Sequence, residues 1–160
     1  MHLTSAVSGP RGSAVFAHHA SGAGPLLRSV KHGTMPMNII DPELGVPVTD
    51  LKRTVDFYVH RLFFETVSIA PSTCTLALGQ DQVKFRMAHK DEVESLRELG
   101  FGLYFQIRDI HEYYRQVRTA GVMQFMQELE LMQPGVWQFS LFDPNGFPVG
   151  FAMSAREKAA

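Results

Sequence analysis

A single cysteine in 160 residues leaves Cys74 without a partner, so an internal disulfide and a thiolate-rich metal site are both excluded. Cys74 alternates with Leu76 and Leu78 in an apolar stretch, which predicts a buried, inert thiol rather than a nucleophile. Net charge is scarce as well. At −1 the chain has no field that would gather nucleic acid or an anionic membrane surface. No apolar run approaches the ~20 residues that span a bilayer, so a soluble, cytoplasmic protein is expected. Acid is missing altogether from residues 1–37, which hold five of the 13 glycines and four of the seven histidines (His2, His18, His19, His32). Neither a helical nor a strand period is sustained there, and disorder is expected. His18-His19 has no carboxylate beside it, which weakens a metal-binding reading. An organellar transit segment is the other alternative. Its basic residues are few, so an upstream extension ahead of Met35 or Met37 is favoured.

What is present begins at Leu44. Leu44, Val46 and Val48 alternate with Gly45, Pro47 and Thr49, the period of a half-buried strand. From Leu51 the period lengthens: Leu51, Val55, Tyr58 and Leu62 fall on one face of a helix, with Asp50 as its N-cap. The figure returns 59 residues later. Leu103, Phe105 and Ile107 alternate, Asp109 caps, and Ile110, Tyr114 and Val117 repeat the helical spacing until Gly121 ends it. An internal duplication of one unit is the reading.

Each helix is followed by three strands. In the first unit these are Phe64–Ile69, Cys74–Leu78 and Gln82–Met87, separated by Pro71-Ser72 and Gly79-Gln80-Asp81. A short amphipathic helix within His89–Gly100 joins the units. The second unit has a strand within Val122–Met132, a turn at Pro134-Gly135, and a strand at Val136–Phe142. Asp143-Pro144-Asn145-Gly146 then makes a tight hairpin before Phe147–Met153. The expected organisation is an extension over 1–37, one domain over 38–154 with units at about 38–88 and 101–154, and a frayed tail over 155–160.

With Val46-Pro-Val-Thr-Asp-Leu51, Phe57-Tyr58, Leu62-Phe-Phe64, Phe105-Gln-Ile-Arg-Asp-Ile110 and Phe139-Ser-Leu-Phe-Asp-Pro-Asn-Gly146, the chain resembles the vicinal oxygen chelate superfamily. That superfamily includes glyoxalases, extradiol dioxygenases and bleomycin-resistance proteins. The resemblance covers about residues 40 to 153 and implies an α+β fold. Two βαβββ units in tandem would form a curved mixed-sheet cup with helices outside. One departure is Phe63, where the family usually carries glycine after the helix.

The resemblance also implies where a divalent metal would sit: at Glu43, Lys84, Gly102 and Gly150, one position from the first and last strand of each unit. Only Glu43 offers a ligand atom. Two glycines have no side chain and a lysine ammonium repels a cation, so neither a metal nor a cofactor is expected. His60 and His111 ride on helices outside the cup, and His89 lies in the connection. Alternation instead places Gly45, Lys84, Arg86, Tyr104, Gln106, Gln138 and Ser140 on the concave side. Glu43 and Lys84 are placed to form an ion pair, and Gly102 and Gly150 to let a ligand approach the backbone. Lys84 and Arg86 lean toward an anionic ligand, unless both are simply solvated on an open sheet face. Trp137 shares its face with Phe139 and Leu141, which points to core packing.

The resulting expectation is a metal-free binding protein that sequesters a small molecule, without catalytic residues. Likeness to the family adds a homodimer. The alternative is an enzyme, a glyoxalase-type lyase or isomerase or a dioxygenase, with off-pattern metal ligands or with Glu43 as general base. A carboxylate beside a lysine is a poor base at neutral pH.

Overall fold

A computed structural model describes residues 43–132 and 135–154 in full, together with the backbone of Val7–Gly9 and Ser13–Ala17. The described residues form ten strands and three helices. The first unit is β3 (Val46–Val48), α1 (Leu51–His60), β4 (Glu65–Ile69), β5 (Thr73–Leu78) and β6 (Asp81–Met87). Helix α2 (Lys90–Glu98) leads to the second, which is β7 (Phe101–Gln106), α3 (Ile110–Thr119), β8 (Phe125–Met132), β9 (Val136–Phe142) and β10 (Pro148–Ser154). Each unit builds one mixed sheet in which its first strand runs parallel to its last, β3 beside β6 and β7 beside β10. The architecture is the α+β pair of βαβββ units. Beyond it, β1 (Val7–Gly9) and β2 (Ser13–Ala17) form a hairpin whose second strand pairs with β7. The rest of 1–37, for which disorder is expected, lies outside the described residues, as do 38–42, 133–134 and the tail 155–160.

The caps fall where the sequence places them. Asp50 accepts a hydrogen bond from the Arg53 amide at 2.9 Å, and Asp109 from the Glu112 amide at 3.3 Å. Leu51, Tyr58, Leu62, Ile110 and Val117 are buried as expected, and each helix departs from its expected face at one position. Thr54 and Tyr113 turn fully inward, whereas Val55 and Tyr114 are half-buried. Hydrogen bonding explains the exchange. The Thr54 hydroxyl donates to the Asp50 carbonyl at 2.8 Å and accepts from Asn145 Nδ2 at 3.1 Å, so its polar atom is satisfied in the interior. The Tyr113 hydroxyl donates to the Leu62 carbonyl at 2.7 Å, and that of Tyr114 reaches Glu128 at the surface. Leu44 is another correction, since it stands 58% exposed ahead of the strand instead of facing the core.

One aromatic core runs through both units. Tyr58 meets Phe64 edge-on at 5.1 Å, Phe64 meets Phe105 at 5.0 Å, and Phe105 stacks on Phe151. Trp137 packs against this core, as its strand face requires, with His111 edge-on to its ring at 4.6 Å. The polar counterpart is the Asp143–Gly146 hairpin, which is far more than a turn. The Asp143 carboxylate is buried and accepts from the amides of Asn145 and Phe147, from Asn145 Nδ2, and from the Tyr58 hydroxyl at 3.0 Å. With Asn145 bonded to Thr54, the loop of the second unit is latched onto α1 of the first.

Beyond α1, Phe63 is the only described non-glycine residue at positive φ, +58°. This left-handed turn lets the Phe64 amide bond back to the Tyr58 carbonyl at 2.9 Å. A residue with a Cβ pays roughly 1–2 kcal/mol for that conformation, and Phe63 keeps its ring 43% exposed. Phe63→Gly is therefore expected to raise the stability by about 1 kcal/mol, less the chain entropy that glycine adds to the unfolded state. A urea midpoint that falls instead would mean that the ring's contacts outweigh the strain. On the far side of β5 lies β4, every residue of it exposed, with a bulge between Thr66 and Ser68.

Candidate functional site

The concave face of the second sheet is laid out by register. One row across the strands is Tyr104, Gly150, Ser140 and Gln127, and the next is Gln106, Ala152, Gln138 and Glu130. These rows bring together Tyr104, Gln106, Gln138, Ser140 and Gly150, as alternation required. Gly150 stands between Tyr104 and Ser140, where its missing side chain leaves the two facing across one strand. The floor is buried: Tyr104 is 9% exposed, Gln138 8% and Ser140 0%. Gln138 Nε2 donates to Gln127 Oε1 at 3.2 Å. Tyr104 and Gln106 share a side-chain hydrogen bond that offsets part of the upward push of burial on the phenol. Ser140 Oγ is buried and has no hydrogen-bond partner among the described residues.

The first unit contributes less than its sequence suggests. Lys84 Nζ donates to the backbone carbonyl of Glu43 at 2.8 Å, a contact that needs no carboxylate. Arg86 is turned to α2, where its guanidinium is paired with both Glu92 carboxylate oxygens. Its charge is thus largely neutralised, which removes much of the lean toward an anionic ligand. Gly45, at φ +92°, has the Lys84 carbonyl oxygen 2.8 Å from where a Cβ would lie. Gly102 likewise has the Pro148 carbonyl at 3.0 Å. Close strand packing accounts for both glycines without any ligand.

The donor set does not fit the family's metal. Lys84 fills one position with a cation, its contact to Glu43 engages the backbone carbonyl, and Gly102 and Gly150 present no ligand atom. Among the described residues, no three His, Cys, Asp or Glu side chains gather into a cluster able to hold a metal ion. Cys74 is buried, and burial pushes its thiol up to about 11, which suits packing and not nucleophilic attack. Asp81 stands where the two sheets meet and accepts from the Gln106 amide at 3.4 Å; burial raises its carboxyl. No sequence signal marked it, because its partner is a backbone amide 25 residues away.

Residues 41–151 match the family model described as the glyoxalase/bleomycin resistance protein/dioxygenase superfamily. The chain belongs to this superfamily. No curated protein matches it. Among solved structures, it is similar to a glyoxalase/bleomycin resistance protein/dioxygenase from Alicyclobacillus acidocaldarius, at 25% identity over 68% of this chain and 86% of the other, with a TM-score of 0.55. A bleomycin resistance determinant encoded on transposon Tn5 shares 22% identity over 68% and 92%, with a TM-score of 0.56. TioX from Micromonospora sp. ML1 shares 20% over 68% and 93%, with a TM-score of 0.54. For this superfamily member, such distances establish the fold. The chemistry has to be read from its own side chains.

Proposed function

We propose that this superfamily member binds a small molecule in its cup and holds it by hydrogen bonds, without the metal chemistry of its enzymatic relatives. The observation that carries the reading is Ser140 Oγ, a buried polar atom with no partner among the described residues, within a polar floor. Leaving such a hydroxyl unbonded costs about 1–3 kcal/mol, and a ligand that displaces the side chains covering it and bonds to it recovers that energy on binding. Tyr104, Gln138 and Gln127 beside it are neutral donors and acceptors. Arg86 is already paired. A neutral, hydrogen-bonding ligand therefore suits the floor better than a carboxylate.

Ser140→Ala tests the reading from both sides. The variant is expected to be more stable by about 1 kcal/mol, because an unsatisfied hydroxyl is gone, yet to lose the thermal shift given by ligands. The probes are a panel of neutral amides and hydroxylated aromatics beside simple carboxylates. Hits confined to the carboxylates, or undiminished by the substitution, overturn the proposal. So does stoichiometric zinc, nickel, iron or manganese in the purified protein.

A further inference from the structure

Beside α1, that helix and the end of β9 line an open cleft of about 620 Å³. Arg53, Phe57, His60 and Arg61 recur at helical spacing along one stripe of α1 and form one wall. Phe142 and Pro144, from the second unit, form the other. The volume lies within the range of about 300–1,000 Å³ usual for small-molecule sites. Phe142 is 53% exposed, an aromatic residue bordering the cleft that its own core does not use.

The polar groups are unevenly committed. Asp56 lies 3.8 Å from Lys52 in an i,i+4 ion pair, and the Asp143 carboxylate is consumed by the latch. Arg61 donates to the Ala120 carbonyl, which holds its guanidinium in place. Neither Arg53 nor His60 has a side-chain hydrogen bond or ion pair among the described residues. The cleft therefore presents two guanidinium groups, one of them unengaged, an imidazole and two phenylalanines.

We propose that this cleft is a second binding site, separate from the cup, for an aromatic anion: a planar ring carrying a phosphate or carboxylate group. The ring lies between Phe57 and Phe142, and the anionic oxygens meet Arg53 and His60, with Arg61 behind them. Arginine suits that task because its planar fork of donors matches carboxylate and phosphate oxygens. Because one wall comes from each unit, the bound molecule bridges them and raises the melting temperature of the whole chain.

The test uses the full chain with three probes: phenyl phosphate, benzoate and inorganic phosphate, titrated by calorimetry and by amide chemical shifts. At least one aromatic probe is expected to bind saturably and to shift residues of α1 and the end of β9, while inorganic phosphate binds at least tenfold more weakly. Whichever aromatic probe is the tighter tells phosphate from carboxylate as the anionic group. Arg53→Gln combined with His60→Gln is expected to weaken that probe at least tenfold, and Phe142→Ser severalfold. All three positions are exposed, so unfolding midpoints close to that of the parent chain are expected and checked alongside. Three results overturn the proposal: no saturable binding of either aromatic probe, inorganic phosphate binding as tightly as the aromatic probes, or affinity undisturbed in the substituted chains. A failure here leaves the cup reading intact, since that reading rests on Ser140, which does not line this cleft.

Discussion

Asp143→Ala is expected to lower the unfolding free energy by about 4 kcal/mol, a large part of the ~5–15 kcal/mol that holds a domain together. The size follows from what the substitution strands. Two backbone amides, the Asn145 side-chain amide and the Tyr58 hydroxyl all donate to this carboxylate, and Tyr58 is 0% exposed. Each buried donor left alone costs about 1–3 kcal/mol, with relaxation returning part of the total. Urea denaturation followed by fluorescence measures the change, and a loss under about 1 kcal/mol would sink the idea of a latch.

Asp143→Asn adds a test of sign. Burial raises the Asp143 carboxyl above its ordinary range and outweighs the four donors that pull it back. A folded-state pKa above the unfolded value means that the native chain holds the proton more tightly. That contribution to stability is full below the ordinary carboxylate pKa and is lost as pH rises through the folded value. The asparagine variant cannot titrate there. The advantage of the parent over Asp143→Asn is therefore expected to shrink as pH rises through this window and to grow on acidification. An advantage that grows with rising pH would show the carboxylate to be favoured in the fold.

Phe105→Ala is the second large effect, expected at about 3–5 kcal/mol, the range for emptying a fully buried phenylalanine site. Phe105 is 0% exposed, edge-on to Phe64 from the first unit and stacked on Phe151 in the second. Its loss opens a void at the seam between units, where neither sheet can close in alone. Because Phe64 shares the same gap, Phe64→Ala in the Phe105→Ala background is expected to cost clearly less than it does by itself. Strict additivity of the two would contradict a shared seam. Heat and denaturant transitions seen by different probes are expected to coincide, since the latch and the aromatic seam couple the units.

Local signals carried most of the fold. Two aspartates that cap helices, a change of period after each, and a 59-residue spacing suffice to place both units, because capping and alternation act over a few residues. Thr54 and Tyr113 displaced one expected position on each helix because they are buried through hydrogen bonds to Asn145 and Leu62, distant in sequence. Asp143-Pro144-Asn145-Gly146 was legible as a hairpin, yet its latch depends on Tyr58, 85 residues earlier. In the cup, alternation found the floor residues of the second sheet. It did not find Glu92 as the partner of Arg86, since that pairing crosses from a strand to a helix. The cleft beside α1 was invisible for the same reason, with walls from elements of different units. The hairpin of β1 and β2 carried no periodic signal and reveals itself only through its pairing with β7.

The bulge in β4 bears on behaviour in a crowded solution. An outermost strand whose five residues are all exposed, Val67 and Ile69 among them, offers its free backbone groups to any passing chain. The extra residue between Thr66 and Ser68 breaks the even spacing of those groups and sharpens the local twist. A flat strand would serve as a template for stacking copy upon copy. This one is a poor template, and the irregularity acts as a brake on aggregation, built into the backbone where the side chains supply only Glu65 as a charge.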